Sequence, residues 1–158
     1  MGNQMDSEFS KIYGSRLRIR VCGLCWDGDR LLLVNHKTLS NANFWAPPGG
    51  GIEFGESLEV ALKREFREET GLEIDGLRFA FGTEFIRDPL HAIELFFSVK
   101  RTGGDLIRGY DPELQIIQDV KFISEAERGK ISPDELHGIF QIAGTPNGLS
   151  ALSGFYTI

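Results

Sequence analysis

The stretch that decides how this chain folds is GGIEFGESLEVALKREFREETGL, residues 50–72. Its second half, Ser57 to Thr70, is rich in good helix formers, with Ser57 placed to cap the first turn and Gly71 to stop the last. Its first half is too rich in glycine for a helix and continues a dense segment, Phe44-Trp45-Ala46-Pro47-Pro48-Gly49, that also reads as loop. Wound at about 100° per residue, the helix carries Leu58, Leu62 and Phe66 as its apolar stripe. Glu65 projects beside Leu58, and Glu69 projects between Leu58 and Leu62. Glu68 lies at the edge of that sector, and Lys63 and Arg67 take the solvent face. Two carboxylates therefore point with the core.

Desolvating ionised carboxylates together costs several kcal/mol each, and their mutual repulsion adds to it. Something positive has to compensate. Glutamates at i, i+3 and i+4 converge where a hard divalent cation takes oxygen ligands, which makes Mg²⁺, or Mn²⁺ in its place, the natural partner. The plainer alternative is an exposed helix end with Glu–Arg pairs, such as Arg64 with Glu68 one turn on.

Outward from this segment, Leu17–Trp26 and Arg30–His36 read as two strands of a hairpin turning at Asp27-Gly28-Asp29. Leu77–Ile86 and His91–Arg101 read as two more, with a turn at Gly103-Gly104-Asp105, and Val120–Ile123 as a short fifth. Ser132-Pro133-Asp134-Glu135 looks like a capping-box start for a second helix reaching about Ala143. This order predicts an α/β sandwich, a mixed β-sheet with helices on both faces.

The chain has 158 residues, 41% hydrophobic and 25% charged, which suits one domain over residues 15–158 behind a polar lead-in at 1–14. A net charge of −6 argues against a protein that grips a nucleic-acid polymer or an anionic membrane. No apolar run reaches the ~18–20 residues of a membrane span. The N-terminal residues carry no export signal, and Asp6 stands where myristoylation requires Ser or Thr. Cys22 and Cys25 sit three apart in an alternating strand, so their thiols point to opposite faces. His36, His91 and His137 show no ligand spacing toward them, and reduced thiols in a cytoplasmic protein are expected.

From Gly50 the pattern G-x5-E-x7-R-E-F-x-E-E-x-G-L is met by Gly50, Glu56, Arg64, Glu65, Phe66, Glu68, Glu69, Gly71 and Leu72. It resembles the Nudix box of the Nudix hydrolase family at every specified position. The resemblance implies a loop–helix–loop box on a mixed sheet, with Glu65, Glu68, Glu69 and the Gly49 carbonyl as metal ligands. It implies too that Glu56 and Arg64 form an ion pair tying the glycine-rich loop to the helix. The implied chemistry is Mg²⁺-dependent attack of water on the pyrophosphate of a nucleoside diphosphate linked to another moiety. Family members commonly dimerise, so the resemblance admits a homodimer through the apolar tail Leu149–Ile158.

The general base is open among Glu65, Glu69, Glu84, His91, Glu94 and Glu113. His36, Lys37, Trp45 and Glu94 are candidate substrate contacts, Trp45 by stacking on a base and Glu94 by lining the site against the alternative of a solvated strand glutamate. Pro89 lies about where ADP-ribose-cleaving relatives carry a proline, which favours ADP-ribose or a nucleotide sugar. A nucleoside triphosphate is the alternative, and a non-catalytic nucleotide sensor is a second.

Overall fold

A computed structural model describes residue 11 and residues 14–37, 42–109, 117–143 and 146–158. The strands are β1 (Leu17–Asp27), β2 (Arg30–Lys37), β3 (Asn43–Ala46), β4 (Gly49–Gly51), β5 (Leu72–Arg87), β6 (Leu90–Gly104), β7 (Ile117–Ile123) and β8 (Phe155–Thr157). The helices are α1 (Leu58–Thr70), α2 (Glu125–Arg128), α3 (Ile139–Ile142) and α4 (Pro146–Ala151), with a 3-10 turn at Pro133–Glu135. The sheet runs β3-β2-β1-β6-β5-β8, with β4 on β1 and β7 on β2. It is mixed, because β1–β6 and β5–β8 are parallel and the other pairs antiparallel. No helix among the described residues is long and apolar enough to cross a membrane.

The β1–β2 hairpin turns where expected, and Gly28 supplies the positive φ of 61° that the tight turn requires. Alternation along β1 sends Val21 and Cys25 to one face, where they pack with Ala61, Leu62 and Phe66 of α1. Cys22 and Leu24 go to the other, with Ile139, Phe140 and Leu149 from α3 and α4. Helices therefore cover both faces, and the two free, buried thiols lie on opposite sides of the sheet. Gly23 lets α1 come this close: a Cβ there would stand 2.3 Å from the Phe66 ring.

Ser57 caps α1 by accepting the Val60 N–H at 3.2 Å, and Gly71 ends it at φ 72°. The buried stripe is Ala61, Leu62, Phe66, Glu69 and Thr70, whereas Leu58 is 39% exposed. Burial begins only at Ala61, so the first turn overhangs the sheet and Leu58 is not part of the packed face.

The second helix is not the continuous one expected. The 3-10 turn ends at Glu135, Leu136 bridges to Trp45, and the His137 N–H donates to the Trp45 carbonyl at 2.9 Å before α3 begins. Pairing with β3 holds the backbone extended where a helix would have continued. Ser132 makes no side-chain cap. The capping box that does form is Ser124 with Glu127, at α2. The tail left unassigned by the sequence forms α4 and β8, and β8 docks on β5 with the Phe155 ring filling the space above Gly82.

Candidate active site

The loop and the helix of residues 49–72 are bound to each other by buried polar contacts. The Gly49 N–H donates to Glu69 Oε2 at 3.0 Å, which accounts for a carboxylate so deep in the core-facing stripe. Arg64 grips Glu56 with both arms, Nε to Oε1 at 2.8 Å and Nη2 to Oε2 at 2.9 Å, and Nη2 also donates to the Gly51 carbonyl at 3.1 Å. The loop-to-helix ion pair thus has the bidentate geometry of a strong charge-assisted pair. The Arg64 hydrogen bond holds the Glu56 carboxyl below its usual range.

Arg64 Nη1 reaches Glu65 at 2.8 Å and Glu68 at 3.3 Å, so the helix-end Glu–Arg pairing and the inward-facing carboxylates coexist. Burial pushes the Glu65 carboxyl up, and Arg64 offsets that only in part. Gly50 lies against it: a Cβ at Gly50 would sit 2.4 Å from the Glu65 carboxylate. These groups form an oxygen-only donor set beside a glycine cradle, and their chemistry fits a hard divalent cation. Among the described residues no group of three or more His, Cys, Asp or Glu side chains is already placed to hold a metal ion.

His36, at the end of β2, places Nε2 3.9 Å from Glu69 Oε1. Burial, helped by the Arg20 charge, lowers His36 to about 4, so the imidazole is neutral at neutral pH and the contact is not an ion pair. Lys37 is half-buried beyond it.

Beside the box a polar row runs across four strands: Gly51 on β4, Arg20 on β1, Glu94 on β6 and Thr83 on β5 are direct cross-strand partners. Glu94 is only 4% exposed. Its Oε2 meets His137 Nε2 at 2.8 Å and accepts from the Thr83 hydroxyl at 3.3 Å, while Oε1 lies 3.5 Å from Arg20 Nη1. His137 is fixed from both sides, its Nδ1 facing the Ile139 N–H at 3.3 Å and its Nε2 facing Glu94. Burial alone would raise Glu94, but His137, Arg20 and Thr83 outweigh it and bring the carboxyl down to about 2.

A carboxyl depressed on folding contributes stability that is present above its unfolded value near 4.5 and is lost as pH falls toward 2. The difference in melting temperature between the protein and Glu94→Gln is therefore expected to shrink as pH falls from about 5 to about 2. A difference independent of pH across that range, followed by thermal melts, would show that Glu94 is not the ionised centre of this network.

The candidate residues separate accordingly. Glu56, Arg64, Glu65, Glu68, Glu69, Gly49 and His36 come together. Glu94 lies next to them but is neither a solvated strand residue nor an open wall of the site, since both of its oxygens are engaged. Trp45 does not offer a stacking face: it is 7% exposed, packs in the core, and carries the Lys121 ammonium 4.9 Å over its ring. His91 is paired with Glu84 at 2.9 Å in a half-exposed position, not packed in the core. Pro89 lies in the turn joining β5 to β6, and Glu113 lies outside the described residues. Sequence reading did not single out Arg20, Thr83 or His137. Arg20 left one trace, a basic residue on the strand face that Cys22 and Leu24 make apolar, whereas nothing near His137 in the chain marks it.

The NUDIX domain model matches residues 16–138. The chain belongs to the Nudix family. An ADP-ribose pyrophosphatase of Methanocaldococcus jannaschii is 34% identical over 96 residues, covering 59% of this chain and 56% of the relative. An RNA pyrophosphohydrolase of Bartonella clarridgeiae is 29% identical over 111 residues, covering 70% of this chain and 60% of the relative. The Nudix chain thus spans between 56% and 60% of the length of these two curated relatives. The crystal structure of a MutT NUDIX hydrolase from Burkholderia pseudomallei superposes with a TM-score of 0.65 at 18% identity, over 87% of this chain and 99% of that one. At that identity the likeness speaks for the fold alone.

Proposed function

We propose that this Nudix chain is a metal-dependent pyrophosphohydrolase that cleaves a nucleoside diphosphate linked to another moiety, ADP-ribose or a nucleotide sugar ahead of other substrates. The observation that carries the reading is the complete set Glu56, Arg64, Glu65, Glu68 and Glu69 assembled on one loop and one helix, with Glu69 drawn onto Gly49.

Glu65, Glu68, Glu69 and the Gly49 carbonyl are the groups that would hold Mg²⁺ or Mn²⁺. Bound there, the ion would supply positive charge against the phosphates and would acidify a water. Arg64 and Glu56 keep the loop at a fixed distance from the helix, so the donors are set before substrate arrives. The base that takes the water's proton is assigned to the box carboxylates Glu65 or Glu69. The burial of Glu94 and its contacts with His137, Thr83 and Arg20 speak against that role for it, and the burial of Trp45 speaks against it as a substrate contact.

The relative named an ADP-ribose pyrophosphatase supports the favoured substrate class. The one named an RNA pyrophosphohydrolase supports a second reading, in which the diphosphate belongs to a triphosphorylated 5′ end, free or on RNA. A panel of ADP-ribose, nucleotide sugars, nucleoside triphosphates and 5′-triphosphorylated RNA, incubated with Mg²⁺ and resolved by chromatography, separates the two. The expected outcome is AMP with ribose 5-phosphate from ADP-ribose. Pyrophosphate released only from triphosphates would move the assignment to the second reading, and no hydrolysis of any member would overturn the proposal.

A further inference from the structure

Arg64 and Arg20 both face glutamates at this site, and their contacts differ in kind. Arg64 is closed on Glu56 by two bonds of 2.8 and 2.9 Å. Arg20 is open. Its Nη1 stands 3.5 Å from Glu94, its Nη2 donates at 3.4 Å to the Gly49 carbonyl, and its buried Nε has no hydrogen-bond partner. A guanidinium has five donors in a rigid fork, and one placed only to neutralise Glu94 would sit at 2.7–2.9 Å, as Arg64 does on Glu56. Arg20 is not the sole support of Glu94 either, since His137 and Thr83 hold its other oxygen.

The position of Arg20 explains the slack. It is on β1 directly opposite Gly51, and the Gly49 carbonyl it touches belongs to the residue whose N–H holds Glu69. Its side chain is still 29% exposed, and through the Gly49 backbone it stands next to the carboxylate of Glu69. Buried polar atoms are nearly always paired, and a cation left with long contacts beside a phosphate-cleaving centre lacks an anion of complementary shape.

Building on the proposed hydrolase reading, we propose that Arg20 grips a phosphate of the substrate's pyrophosphate. In the same arrangement Glu94, locked by His137 and Thr83, is the positioning residue that keeps the Arg20 fork at the mouth of the site. The diphosphate is the recognised chemistry, so the grip is independent of base and sugar.

The probe is methylenediphosphonate, a diphosphate that cannot be hydrolysed, titrated calorimetrically into the protein in saturating Mg²⁺. The wild type is expected to bind it, and Arg20→Met to weaken binding on the order of tenfold to a hundredfold, the range for a lost charge-assisted bond. Arg20→Lys keeps the charge but loses the fork and is expected to weaken binding by roughly tenfold; it carries the test if Arg20→Met does not fold. Glu94→Gln is expected to raise KM for the hydrolysed nucleotide several-fold more than it lowers kcat, which a purely structural role would not do. Wild-type affinity in the arginine variants overturns the inference. So does a wild type that hydrolyses a nucleotide yet does not bind the probe. A wild type that does neither takes the hydrolase reading down instead.

Discussion

Glu69→Gln is expected to leave the fold in place and to lower turnover by roughly 10²–10⁴-fold, the span attributed to a positioned acid or base in catalysis. The fold survives because an amide oxygen can still accept the Gly49 N–H that now meets Glu69 Oε2 at 3.0 Å. What disappears is the negative charge of Glu69, and with it a proposed metal ligand and a candidate base. Stopped assays on the purified variant, alongside a melting curve within a few degrees of the wild type, check this. Near-normal turnover in a folded Glu69→Gln would remove Glu69 from the mechanism.

Gly50→Ala is expected to have the second-largest effect, a loss of roughly 10²-fold, the cost of misplacing a reacting group by about an ångström. The added Cβ would lie 2.4 Å from the Glu65 carboxylate, and that carboxylate is the end of a flexible side chain. It can swing away at little expense in stability, so the damage falls on the site and not on the core. Gly23→Ala makes the useful contrast, because its Cβ meets the ring of a fully buried Phe66 with nowhere to go. Wild-type turnover in Gly50→Ala would mean that Glu65 is not needed where the structure places it.

The box could be read from the chain because its chemistry is local: helical spacing brings Glu65, Glu68 and Glu69 to one side of a helix, and the resemblance to the Nudix box adds Glu56 and Arg64 within the same loop and helix. Strand alternation likewise placed Cys22 and Cys25 on opposite faces. The Arg20–Glu94–Thr83–His137 row joins residues 43 apart in the case of Glu94 and His137, and only the β1–β6 and β5–β6 registers reveal it. In the sequence Glu94 reads as a substrate contact or base, or else a solvated strand glutamate, because the partners that engage it are distant in sequence. The same holds for the interrupted second helix, where pairing of Leu136 and His137 with Trp45 outweighs a local pattern that favoured helix. Trp45 was misjudged for a related reason: its partner Lys121 arrives on β7.

If a divalent cation compensates the carboxylates of α1, a thermal melt against Mg²⁺ concentration reports it. Saturation to about a hundred times Kd is worth about 2.7 kcal/mol. For a chain of this length that corresponds to a rise in Tm of roughly 5–10 °C. The account predicts such a rise for the wild type and its loss in Glu69→Gln. No rise at millimolar Mg²⁺ or Mn²⁺, or an equal rise in both proteins, would contradict it.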